Sequence, residues 1–105
     1  KAIFAANDTM GLGAIEAVAA AGLEGQVIVA SVDAIPEALD AVKEGRLLGT
    51  VAQYPDEMAV LAVEAMIKVL MGRPIAPEIE SPVKLITQGN VATSGNVLGD
   101  PKIPQ

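Results

Sequence analysis

The stretch AIFAANDTMGLGAIEAV, residues 2–18, changes character at Asn7. Before it stands a short apolar run, Ala2–Ala6, that suits a buried strand. After it, Asn7-Asp8-Thr9 supplies a capping side chain and an acid, which favour the positive end of a helix. An alanine-rich helical run then extends to Ala21, and Gly22 follows its end. A strand that passes through a polar cap directly into a helix is the first half of a β-α-β unit.

The same grammar repeats along the chain. Strands are expected at about Val27–Val32, Leu47–Ala52 and Val83–Thr87, and helices at about Pro36–Glu44 and Pro55–Met71. Pro36 and Pro55 fit first helical turns, each followed by acids, and Gly45 and Gly72 stop the helices. The fold class is therefore α/β: a parallel sheet with helices on both faces. From Gln88 to Gln105 the chain is rich in Gly, Pro, Asn and Ser without a period, which predicts an extended tail over 91–105.

The chain has 105 residues, room for one compact domain. Its residues are 51% hydrophobic but only 2% aromatic, so the core is aliphatic, and disorder is excluded. Apolar runs are broken by charges well short of the ~18 residues a membrane span needs. A net charge of -6 excludes a nucleic-acid partner, which requires a basic footprint. There is no cysteine, hence no disulfide framework and no thiolate chemistry. The chain opens on Lys1 and runs at once into strand sequence, which is expected of a fragment or processed piece.

A mean hydropathy of +0.45 is high for a chain with a charged surface. The helices show where the excess sits. Pro36–Glu44 is amphipathic, with Leu39 and Val42 inward and Glu37, Asp40, Lys43 and Glu44 outward. Pro55–Met71 instead confines Glu57, Glu64 and Lys68 to one stripe and is apolar over most of its circumference. Such a helix is expected to be covered on more than one side. One four-stranded sheet covers a single side, so a partner surface lies elsewhere. The first helix, with Gly11, Gly13 and many alanines, presents a flat surface that a neighbouring backbone can approach closely.

In open parallel sheets, ligands bind beyond the carboxyl ends of the strands. Three strands here end on a polar residue: IFAAN on Asn7, VIVASVD on Asp33 and VAQ on Gln53. In a parallel sheet these ends share one edge. One carboxylate and two amides suit a neutral, hydroxyl-rich small molecule, because they accept from and donate to hydroxyls. Taken singly, Asn7 and Asp8 also fit as helix caps, Asp33 as a turn residue and Gln53 as an ordinary strand end; Tyr54 fits packing beside Pro55. Their occurrence at equivalent strand ends is what favours binding.

Catalysis has little to draw on. Histidine is absent, and Ser31, Ser81 and Ser94 lack an evident base. Asp56-Glu57 serve the helix dipole. Gly11-Leu12-Gly13 fails as a dinucleotide fingerprint because Glu16 stands at the third glycine position. Asp33 has no acidic neighbours that would hold a metal, so no enzyme activity, cofactor or metal is expected.

The run from Ala2 to Val18 resembles the FAANDxMAxGAxxA block of periplasmic sugar-binding proteins of the ribose-binding type, which also occurs in LacI/GalR-type effector domains. Ile28–Leu39 is similar to their VVGFDGxPEAL block, and Val42–Met58 to IKxGKLxATVAQxPxxMG; Pro82–Thr87 resembles the closing strand. The resemblance covers roughly Lys1 to Asn90. It implies that Asn7, Asp33 and Gln53 hydrogen-bond sugar hydroxyls, with Val32 standing where the block has Phe and Ala34 where it has Gly. It also implies a solute-binding component of an ABC sugar transporter, working with a membrane permease, periplasmic or extracellular, and lipid-anchored in a single-membrane bacterium. Sugar sensing by a transcription regulator is the alternative. Finally, it implies that residues 1–90 are part of a carboxy-terminal lobe, and that helix 55–71 packs on a missing amino-terminal lobe of the same protein. Without that lobe, self-association of the chain is expected.

Overall fold

A computed structural model describes residues 1–94. The elements follow the order β1 (Ala2–Phe4), α1 (Asp8–Ala20), β2 (Ile28–Val32), α2 (Pro36–Lys43), β3 (Gly49–Gln53), α3 (Pro55–Leu70) and β4 (Val83–Thr87), with a 3-10 turn at Val91–Thr93. Every strand and helix expected from the sequence is present, with ends displaced by at most two residues. The short turn carries a buried Val91, so the tail expected over 91–105 is anchored at its start. Its remaining part lies outside the described residues.

The chain divides into two compact units, one formed by Lys1–Gln53 with the chain from Lys84 onward, the other by Tyr54–Val83. In the first unit the strands lie in the order β1-β2-β3-β4. β1 pairs with β2 in parallel (Ile3 opposite Val29), and β2 with β3 in parallel (Ser31 opposite Thr50). Consecutive parallel strands need crossovers, and α1 and α2 supply them.

Both helices pack on the same face of this sheet, α1 against β2 and α2 against β3, and they touch each other. The core includes Ile15 and Val18 from α1, Val29, Ala34, Ala38, Ala41, Val42, Leu47, Ala52, Ile86 and Val91. In α2 the alanines Ala38 and Ala41 sit deepest beside Val42, while Leu39 is only half-buried against the cluster. Gly11 explains the flat face of α1: a Cβ there would lie 2.8 Å from Ser31 Cβ, closer than side chains tolerate. Glycine thus brings the first turns of α1 directly onto β2. Arg46 extends from the α2–β3 loop to Glu44 at 2.8 Å and to Glu16 of α1 at 3.0 Å. Hydrogen bonding to Glu44 holds the guanidinium above its ordinary range. These pairs are exposed, and such pairs contribute little to stability.

The opposite face of the sheet is a different surface. Phe4 is 71% exposed, and Ile28 and Leu85 are also open to solvent. Side chains alternate across a strand, so these residues project away from the helices that bury Val29, Ser31 and Ile86. In the second unit, α3 has no buried residue, and Val60, Val63, Met66 and Leu70 are all exposed. Exposed apolar side chains in each unit thus account for much of the high hydropathy of the sequence.

Candidate functional site

Because β1, β2 and β3 run parallel, the residues after their carboxyl ends meet at one edge, where Asn7, Asp33 and Gln53 lie. All three are half-buried. Gln53 Nε2 donates a 2.9 Å hydrogen bond to Asp33 Oδ1, joining two of them directly. Asn7 is the N-cap of α1, its Oδ1 accepting from Met10 N at 2.9 Å. Capping and ligand contact are compatible in Asn7, because the cap uses only the carbonyl oxygen and leaves the amide donors. Asp33 Oδ2 and Asn7 Nδ2 have no hydrogen-bond partner among the described residues.

Asp33 sits on an unusual backbone. Its φ is +119°, and that of Ala34 is +57°, the only positive values among described non-glycine residues. Left-handed conformations of this kind cost on the order of 1–3 kcal/mol each and persist only where surrounding structure holds them. They also account for the glycine that the resembling block carries at the position of Ala34, since glycine adopts positive φ freely.

The turn is held by Asp8, a residue whose place in the sequence fits a helix cap. Asp8 is 1% exposed and points into the sheet. Its Oδ1 accepts from the Ser31 hydroxyl and from Thr50 Oγ1 at 2.7 Å, and its Oδ2 accepts from Ile35 N at 2.8 Å. Thr50 Oγ1 in turn accepts from Ala34 N at 3.1 Å. One carboxylate thereby ties α1, β2, β3 and the β2–α2 turn together. The signal available in the sequence was Ser31 and Thr50, hydroxyls inside otherwise apolar strands that prove to be directly opposed.

A cavity of about 330 Å³ opens elsewhere in this unit, among Ile15, Val18, Val27, Gly45 and Leu48 near the starts of β2 and β3. None of the three edge residues lines it. The candidate site is an open edge of the sheet. Among the described residues, no group of three or more His, Asp or Glu side chains is placed to hold a metal ion.

The fold is that of an open parallel α/β sheet with polar hydrogen-bonding groups at one carboxyl edge, the place where such sheets carry ligands. Residues 1–74 match the model of the periplasmic binding protein domain, and the chain belongs to that family, with its type I fold. Among similar proteins, the D-ribose/D-allose-binding protein of Pseudomonas aeruginosa is 41% identical over 83% of this chain, and the ribose import binding protein of Bacillus subtilis is 40% identical over 84%. The chain spans 28% of the length of each. A solved ABC transporter periplasmic solute-binding protein from Actinobacillus succinogenes, with bound D-allose, superposes with a TM-score of 0.72 at 34% identity, over 87% of this chain and 32% of that one. A solute-binding protein from Bacillus halodurans with bound myo-inositol gives 0.69 at 39% identity, over 88% of this chain and 32% of that one. The Bacillus subtilis relative is named for ribose import, and the two solved proteins for ABC transport.

Proposed function

We propose that this chain forms part of the carbohydrate-binding surface of a solute-binding protein serving an ABC sugar importer. In this reading Asp33, Gln53 and Asn7 hold the hydroxyls of a monosaccharide. The observation that carries it is the joining of Asp33 and Gln53 at the sheet edge with Asp33 Oδ2 left as a hydroxyl acceptor, in a family whose named relatives bind ribose, allose and inositol. The transport role is favoured over the regulator alternative because the similar proteins above are named for import and solute binding.

In this reading residues 1–90 belong to the carboxy-terminal lobe of a two-lobed protein, and α3 packs on the other lobe. The exposed apolar circumference of α3 and the open face of the sheet support this arrangement. Binding proceeds by closure of the lobes over the sugar, with no bond broken. The permease of the transporter receives the closed form outside the cytoplasmic membrane, in the periplasm or, on a lipid anchor, at the surface of a single-membrane bacterium.

A thermal-shift panel of pentoses, hexoses and inositols on the full-length protein carrying this segment tests the reading. One or a few monosaccharides are expected to raise Tm by several degrees at millimolar ligand, because binding to the folded state alone adds RT ln(1 + [L]/Kd). A flat panel would remove the sugar-binding assignment.

A further inference from the structure

We propose that Asp8 is a positioning residue for ligand binding, which sets the orientation of Asp33 by holding the positive-φ turn at Asp33-Ala34. The inference rests on the sugar-binding reading of the sheet edge and extends it to a residue buried beneath that edge.

The turn has two backbone donors immediately after Asp33, at Ala34 and Ile35. Ile35 N donates straight to Asp8 Oδ2, and Ala34 N donates to Thr50 Oγ1, whose own proton goes to Asp8 Oδ1. Both amides thus depend on one carboxylate, directly or through one hydroxyl. On the other side Asp33 N donates to Val51 O at 2.9 Å, which clamps the start of the turn to β3. The strained turn is therefore fixed from both ends, with Asp8 serving the end that leads into α2.

Asp8 also reaches the strands that deliver the other edge residues. Ser31 lies two residues before Asp33, and Thr50 three residues before Gln53. Asp8 itself follows Asn7. Asp8 or one of its two hydroxyl partners thus lies within three residues of each edge group along the chain, and the carboxylate ties their three elements at one point. A helix-capping role would not require this, because Asn7 already caps α1.

A cap or a core residue alters stability and leaves the affinity of the folded protein unchanged. A positioning residue alters affinity, and does so only while the group it positions is present. The test is a double-mutant cycle of Asp8→Asn and Asp33→Asn in the full-length protein, with D-ribose, D-allose and myo-inositol as probes. Calorimetry is run well below the Tm of every variant, using the probe that the wild type binds. Asp8→Asn keeps the size of the side chain and replaces one acceptor oxygen by a donor. It is expected to weaken binding about tenfold or more, and to have less than about a threefold effect in the Asp33→Asn background, as coupled residues behave.

A folded Asp8→Asn protein with wild-type affinity, beside an Asp33→Asn protein that loses affinity, would overturn the positioning role and leave the sugar-binding reading intact. Equal losses from Asp8→Asn in both backgrounds would overturn it too. Unchanged affinity in Asp33→Asn would remove Asp33 from the site and overturn the positioning role with it, and a wild type that binds none of these probes and no sugar of the wider panel would overturn the sugar-binding reading as well. If Asp8→Asn fails to fold, Thr50→Val takes its place in the cycle. It removes the hydroxyl between Ala34 N and Asp8 at nearly constant volume, and the same outcomes decide.

Discussion

Asp8→Ala is expected to lower the folding stability of the protein by about 3–5 kcal/mol, with the midpoint of urea unfolding falling accordingly. The carboxylate is almost fully buried and accepts from Ser31, Thr50 and Ile35. Removing it leaves those donors without an acceptor, and each buried unsatisfied donor costs roughly 1–3 kcal/mol. Rotation of the two hydroxyls toward other acceptors recovers part of the loss, so the total stays below a simple sum. A domain is stable by only about 5–15 kcal/mol, so the loss is a large share of the whole. Ser31→Ala removes a single donor and is expected to cost about 1 kcal/mol. Urea unfolding followed by circular dichroism checks both variants. An Asp8→Ala protein within about 1 kcal/mol of wild type would show that the network contributes little.

The second large effect is on binding. Asp33→Ala is expected to weaken monosaccharide affinity by about 1.5–3 kcal/mol, or about 10- to 150-fold, the scale of hydrogen bonds to a charged group. Asp33 is half-buried, and Gln53 occupies only its Oδ1. The substitution acts in two ways, because it also releases Gln53 Nε2 from its acceptor and places alanine at a φ of +119°. Asn tolerates left-handed backbone better than alanine does, so Asp33→Asn separates loss of charge from strain in the turn. Calorimetry on both variants is expected to show the larger loss in Asp33→Ala. Wild-type affinity in both would remove Asp33 from the site.

The elements were legible in the sequence because their ends carry local chemistry. Pro36 and Pro55 occupy first helical turns, and Asn7 caps α1 as its position before Asp8 and Thr9 suggests. Gly45, at a φ of +75°, closes α2 in a conformation glycine favours. The edge residues were legible for a topological reason: strands that run parallel place their ends together, whatever the packing beneath. The apolar circumference of α3 was legible from period alone, and the helix proves to have no buried residue.

The role of Asp8 was not legible, because its partners lie 23, 27 and 42 residues away. An acid in a first helical turn has a sufficient local explanation in the dipole, and nothing nearby contradicts it. The pairing of Ser31 with Thr50 depends on strand register, which a single sequence does not supply. Likewise, the backbone at Asp33-Ala34 carries no local glycine to announce its positive φ. That α2 buries Ala38 and Ala41 fully and Leu39 only in part depends on how the helix is turned against its neighbours, again a matter of packing.

The central claim, that the carboxyl edge of this sheet holds a sugar, is tested most directly by a crystal structure of the full-length protein with the monosaccharide that binds it best. Sugar hydroxyls are expected within hydrogen-bond distance of the Asp33 carboxylate, the Gln53 amide and Asn7 Nδ2, with Asp8 still buried against Ser31, Thr50 and Ile35. A sugar bound elsewhere in the protein, with no contact to Asp33, would contradict it.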